Sequence, residues 1–66
     1  MLAIGTSDGS IKIFNLKGYE QEIEQAHDHS IIWLLFAPNQ GYLLSADDKN
    51  TLRLWNLRDL SMIMET

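Results

Sequence analysis

The residues best suited to chemistry gather in a few short stretches. His27-Asp28-His29 sets two imidazoles two positions apart, and on a strand they would share a face. Two imidazoles can begin a metal site, but the sequence offers no evident third and fourth ligand. A loop holding one structural histidine is the simpler reading. Asp47-Asp48 offers two adjacent carboxylates, the raw material of a general acid and base. Adjacent turn residues point apart, however, and Asp in a turn bonds its own backbone. Glu20, Glu22 and Glu24 form an acidic stripe that either docks a basic partner or is a solvated edge face. Trp33 and Trp55 could stack on a ligand, yet both sit in apolar strand contexts that assign them to a core. Gly5 and Gly9 are not followed by a helix, so they make no phosphate loop. No Ser/His/Asp or Cys/His arrangement has a strand–turn–helix context. These residues therefore argue against an enzyme, and no catalytic, metal or cofactor residue is assigned.

Composition narrows the classes further. Sixty-six residues allow one small domain at most, marginal unless something staples it. The chain has no cysteine, which removes disulfides and Cys-based zinc sites. A net charge of -4, with Lys12, Lys17, Lys49, Arg53 and Arg58 scattered, gives no attraction for nucleic acid or anionic lipid. The longest apolar stretch, Ile31 to Ala37, falls far short of the ~20 residues of a membrane span. Met1 to Gly5 lacks the basic and apolar regions of a signal peptide. A cytoplasmic location is the expectation, with no transmembrane segment.

Turn signals divide the chain into seven short strands. Leu2–Thr6 and Ile11–Asn15 flank Ser7-Asp8-Gly9-Ser10, and Asp-Gly between apolar runs signals a hairpin. Leu16-Lys17-Gly18 turns again. Tyr19–Gln25 reads as an edge strand at period two and as a helix face at period 3.6; the neighbouring strands favour the strand. After Ala26–His29 comes Ser30–Ala37, apolar on both faces and stopped by Pro38. Tyr42–Ala46, Thr51–Asn56 and Leu60–Glu65 follow, separated by Asp47–Asn50 and Leu57–Asp59. The first strand after Gly9 is echoed 41 positions later: Ser10 by Thr51, Phe14 by Trp55, Leu16 by Leu57. Four short strands per such repeat match one blade of a β-propeller. The expected class is all-β, with antiparallel four-stranded blades and about one and three-quarter of them present. Residues 1–25 would supply strands two to four of one blade and residues 26–66 a second.

One blade cannot bury both of its faces, and about three stacked repeats are usually needed. The chain is therefore expected to be a fragment. Either the Ile31, Trp33, Leu35 face or the Ile32, Leu34, Phe36 face would stay exposed, to be covered by neighbouring blades or by self-association.

The run from His27 through Ile31, Phe36 and Pro38 to Ser45 and Trp55-Asn56 resembles the WD repeat. The resemblance implies a hydrogen-bonded set of a histidine, a strand hydroxyl, a turn aspartate and a tryptophan. His27, Ser45 and Trp55 match. Lys49 occupies the usual place of the aspartate, and Asp48, one residue earlier, is the candidate to replace it. Asn56 stands where an aspartate usually follows the tryptophan. More narrowly, Leu2–Thr6, Gly9, Lys17–Glu20, Asn39–Gly41, Leu44–Ala46 and Thr51–Arg58 resemble the N-terminal blades of the lethal giant larvae and tomosyn family. That resemblance implies a non-catalytic scaffold that binds syntaxin and other SNARE proteins and regulates exocytosis or polarity, in the cytoplasm and at the periphery of the plasma membrane. Partners would meet the turns at Asp8, Gly9, Asn39, Gln40, Asp47 and Lys49. The alternatives are a WD-repeat subunit of an unrelated assembly, or a propeller accessory to an enzyme.

Overall fold

A computed structural model describes residues 1–18, 20–39 and 41–66; Tyr19 and the expected turn residue Gln40 lie outside the described residues. Within these bounds the chain is seven strands with no helix: β1 (Leu2–Gly5), β2 (Ile11–Phe14), β3 (Glu20–Ile23), β4 (Ile31–Phe36), β5 (Tyr42–Asp47), β6 (Leu52–Asn56) and β7 (Ser61–Glu65). They form two antiparallel sheets, each in chain order: β1-β2-β3 and β4-β5-β6-β7. The stretch open to a helix or a strand is a strand, with Ile23 paired to Ile11 and Glu22 to Lys12.

Local chemistry explains the hairpins. The residue that closes the turn is left-handed at Gly9 (φ 92°), Gly18 (φ 86°), Asn50 (φ 67°) and Leu60 (φ 62°). Such a residue re-aims the chain into the return strand of a short hairpin. Asn and Asp side chains brace the same turns. Asn15 Oδ1 accepts the Lys17 N–H at 2.9 Å, and Asn56 Oδ1 accepts the Arg58 N–H at 2.8 Å. These two asparagines are equivalent across the repeat and do the same local work, which gives a physical reason for an amide at both positions.

The sheets pack face to face. Ile11, Ile13 and Ile23 of the first sheet join Leu43, Trp55 and Leu57 of the second in one buried cluster. Ala3, Leu34 and Phe36 close its flanks. The register of β4 against β5 shifts between Ile31, paired with Asp47, and Trp33, paired with Ala46. That bulge re-phases β4. Ile31, Leu34 and Phe36 face the core, whereas Ile32, Trp33 and Leu35 are exposed. Neither alternating set expected from the sequence is therefore the buried one. Trp33 is not a core residue, because the extra residue at Ile32 turns it outward.

Backbone bonds rivet the two sheets at one end. The His27 N–H donates to the Gly9 carbonyl at 2.9 Å, and the Ile31 N–H to the Thr6 carbonyl at 3.2 Å. A Cβ on Gly9 would overlap the His27 carbonyl oxygen, while one on Gly18 would meet nothing within 4 Å. Both glycines have positive φ, so the pair separates conformation from contact. Gly18→Ala should cost about 1–2 kcal/mol, the left-handed penalty alone. Gly9→Ala should cost clearly more, because the rivet must move. Urea midpoints of the two variants check this; equal losses would mean that the contact at His27 carries no weight.

Candidate functional site

The polar centre of the molecule is a line of four side chains. His27 arrives from the segment between the sheets, Ser45 and Asp47 from β5, and Trp55 from β6. Leu43, Ser45 and Asp47 alternate onto one face of β5. Trp55 pairs across with Leu43 and projects onto that same face. The Trp55 indole N–H donates to Ser45 Oγ at 2.9 Å. Ser45 Oγ and His27 Nε2 are 2.6 Å apart, and His27 Nδ1 and Asp47 Oδ2 3.0 Å. An ionised Asp47 can only accept, so Nδ1 carries the proton, Nε2 accepts from the Ser45 hydroxyl, and every bond points toward Asp47. The other carboxylate oxygen accepts the backbone N–H groups of Lys49 at 2.9 Å and Thr51 at 3.0 Å. Such a chain strengthens itself, and each member left without a partner would be costly.

Hydroxyl, imidazole and carboxylate stand here in the order of a nucleophilic relay. The arrangement is sealed against that use. His27 and Ser45 are 0% exposed and Asp47 2%. The indole already occupies the hydroxyl oxygen, and the set sits under packed strands where no substrate carbonyl can approach. Its chemistry goes into holding the β4–β7 sheet to the segment that precedes it.

The structure revises several expected roles. Asp47, expected at a partner-facing turn, is buried and bonded to His27. Asp48, the expected fourth member, is exposed beyond the end of β5, and its N–H donates to the Ser30 carbonyl. The reason is parity: Asp47 is in phase with Ser45 and Asp48 is not. Gly9 is buried beneath His27 and unavailable to a partner. Asp8 and Lys49 are exposed on the rim that also carries His29. Asp8 accepts from the Thr6 hydroxyl and the Ser10 N–H. Asn39 is exposed on the opposite rim, so the expected docking turns do not form one surface. His29 is exposed and apart from the network, and among the described residues no three His, Cys, Asp or Glu side chains group to hold a metal. Glu20 and Glu22 are exposed on β3.

Sequence reasoning missed Asp47 as the network carboxylate, although its period-two phase with Ser45 was a usable signal. It also missed Arg53. That guanidinium donates through Nη1 to the Ala26 carbonyl and through Nε to Glu65 Oε1 at 2.6 Å, tying β6 and β7 to the segment before His27. No spacing rule points to this contact, which depends on how the segment folds back.

The first sheet has no such line. At the positions 41 residues before Ser45, Asp47 and Trp55 it carries Ile4, Thr6 and Phe14. Ser45, Asp47 and Trp55 are all replaced, so none of the three is stranded in the first sheet. Thr6 keeps the local duty of Asp47: its Oγ1 accepts the Ser10 N–H at 3.0 Å, as Asp47 accepts that of Thr51.

Removing the shared oxygen tests the line. Ser45→Ala leaves an indole N–H and an imidazole nitrogen without partners and should lower stability by about 1–3 kcal/mol in urea unfolding. Acid should act at Asp47. Burial pushes its carboxyl up, but the N–H groups of Thr51 and Lys49 and the His27 ring outweigh this and hold it below the ordinary value. The stability it contributes is complete above about pH 4 and is lost as pH falls through its lowered value. Asp8, held low by the Thr6 hydroxyl, and Asp59, by that of Ser61, share this acid limb. Asp47→Asn should therefore flatten the limb without abolishing it, as read from melting temperature against pH.

Comparison with known proteins agrees with this geometry. Residues 19–56 match the WD40 family, described as WD domain, G-beta repeat. The chain is 33% identical over 64 residues to the target of rapamycin complex subunit wat1 of Schizosaccharomyces pombe, covering 97% of this chain and 20% of that protein. It is 41% identical over 56 residues to the nuclear distribution protein PAC1 of Coccidioides posadasii, covering 85% of this chain and 12% of that protein. The chain thus spans a small part of the curated relatives it matches. Since the family match takes in more than half of its 66 residues, the chain belongs to the WD40 repeat family.

Proposed function

We propose that this chain serves a non-catalytic protein-interaction scaffold. One observation carries the reading: the only hydroxyl–imidazole–carboxylate set among the described residues is wholly enclosed and spent on rigidity. What the fold offers to solvent is a set of turns on stiff sheets, which is where such architectures place recognition. The rim beside His27 presents Asp8, Asp28, Asp48 and Lys49; the opposite rim presents Lys17, Asn39 and Arg58.

Two assignments of process suit such a scaffold. Membership of a multiprotein assembly is favoured by the two relatives, one of which is a complex subunit by name. Regulation of SNARE-dependent exocytosis or polarity, with syntaxin as partner, is supported by the strings shared with the lethal giant larvae and tomosyn family, such as Lys17–Glu20 and Thr51–Arg58. Either process places the protein in the cytoplasm, and the second brings it to the periphery of the plasma membrane. We rank the assembly first, because its similarity runs along nearly the whole chain.

Binding experiments separate the two. The immobilised chain is offered purified syntaxin, with an unrelated WD40 propeller as control. The assembly reading expects no enrichment over the control, and co-purification from native cells at fixed stoichiometry with a multisubunit complex. Saturable syntaxin binding weakened by the paired rim variant Asp8→Lys and Lys49→Glu would reverse the ranking. Enrichment of neither kind would remove the scaffold role.

A further inference from the structure

The turn between β6 and β7 holds features that neither the polar line nor the scaffold reading uses. Arg58, Asp59 and Ser61 are exposed there, and Leu60 between them is left-handed at φ 62°. A leucine rarely takes that conformation and is strained in it. Two contacts hold it. The Leu60 side chain packs against the buried cluster, and Asp59 braces the residue that follows. Asp59 Oδ1 accepts the Ser61 hydroxyl at 2.7 Å and the Ser61 N–H at 3.0 Å. Those two bonds hold the Asp59 carboxyl below its ordinary value, and the Arg58 charge adds a smaller pull. The entry into β7 thus depends on a serine O–H. The corresponding turn of the first sheet closes on Gly18, which takes its φ of 86° without strain, and no serine or threonine lies between Ser10 and Ser30.

We propose that Ser61 is a phosphorylation site for a serine/threonine kinase that reads a basic residue three positions before its acceptor, and that the phosphate loosens β7. Ser61 is the only serine or threonine of the chain with Lys or Arg at that spacing, and Arg58 supplies it. Its guanidinium is a fixed charge that a carboxylate in the kinase groove takes bidentately. Both residues flank a turn at the rim, so their exposure does not depend on what stacks on the sheet faces. A kinase groove takes its substrate extended, and the strain at Leu60 favours local opening of this turn. In the transfer, Ser61 Oγ attacks the γ-phosphorus of ATP and the bond from that phosphorus to the ADP oxygen breaks. The hydroxyl proton passes to the carboxylate base of the kinase. The product has no O–H to give Asp59, and it sets a charge of about -2 beside an ionised carboxylate. The single Arg58 charge does not offset both. Leu60 then keeps its conformation only through its core contact. The far end of β7 retains the Arg53 pair with Glu65 and the paired Leu52 and Thr66 backbones, so the loosening begins at Ser61.

The test incubates the full chain with Mg-ATP and an activated calmodulin-dependent protein kinase, a type selective for arginine at that spacing. Mass spectrometry of the product should place one phosphate, at Ser61. Ser61→Ala should take none, Ser61→Thr should still accept it, and Arg58→Gln should lose most of the labelling. No phosphate on the folded chain, phosphate elsewhere, labelling only after heat unfolding, or a rate unchanged by Arg58→Gln would overturn the site. Hydrogen exchange tests the consequence. Amides of β7 should exchange several-fold faster in the phosphorylated chain than in the unmodified one, with those of β5 unchanged. Equal exchange in β7 before and after modification would overturn the loosening. None of these outcomes depends on whether a rim partner exists.

Discussion

Everything in this small molecule leans on the burial of one imidazole. His27 lies in the segment between the two sheets, with no regular structure of its own to fix it. Its ring is held by Ser45 and Asp47 from β5, its N–H by the Gly9 carbonyl from the first sheet. One residue thus joins a turn of the first sheet to the middle of the second. A buried imidazole with unmet nitrogens would be costly, so its position, tautomer and neighbours are fixed together. Trp55 then fills the space beside Ser45 and completes the apolar cluster, so the polar line and the core are one construction.

The same logic accounts for the first sheet. At the positions matching Ser45, Asp47 and Trp55 it carries Ile4, Thr6 and Phe14, so none of those three members is buried there without its partners. Degeneracy is therefore concerted at these three positions. What survives in both copies is what each hairpin needs locally: the left-handed residue at Gly9 and Asn50, and the turn-bracing amide at Asn15 and Asn56. Local backbone demands and long-range polar demands are separable here, and only the first recur in both sheets.

Much of the fold could be read from the residues because strong turn chemistry punctuates the chain at Asp8-Gly9, Gly18, Pro38 and Asn50. Strand faces were legible wherever apolar and polar residues alternate, as at Ile11 to Phe14. They were illegible in β4, where six apolar residues give no sign that Ile32 is the extra one, and Trp33 was misplaced for that reason. The site was half legible. His27, Ser45 and Trp55 could be named from the repeat. The carboxylate could not be fixed by counting from the tryptophan, because the turn between β5 and β6 does not keep the expected spacing. Counting by twos along β5 from Ser45 leads to Asp47. Arg53 was out of reach, since its partner at Ala26 is 27 residues away with no pattern linking the two.

The direction of the hydrogen bonds is the central claim, and nitrogen NMR of the single buried imidazole tests it most directly. The account requires His27 protonated at Nδ1 and bare at Nε2 near neutral pH, with the Trp55 indole N–H protected from exchange. A proton on Nε2 with Nδ1 bare, or an indole N–H that exchanges as freely as in an unfolded chain, would contradict it.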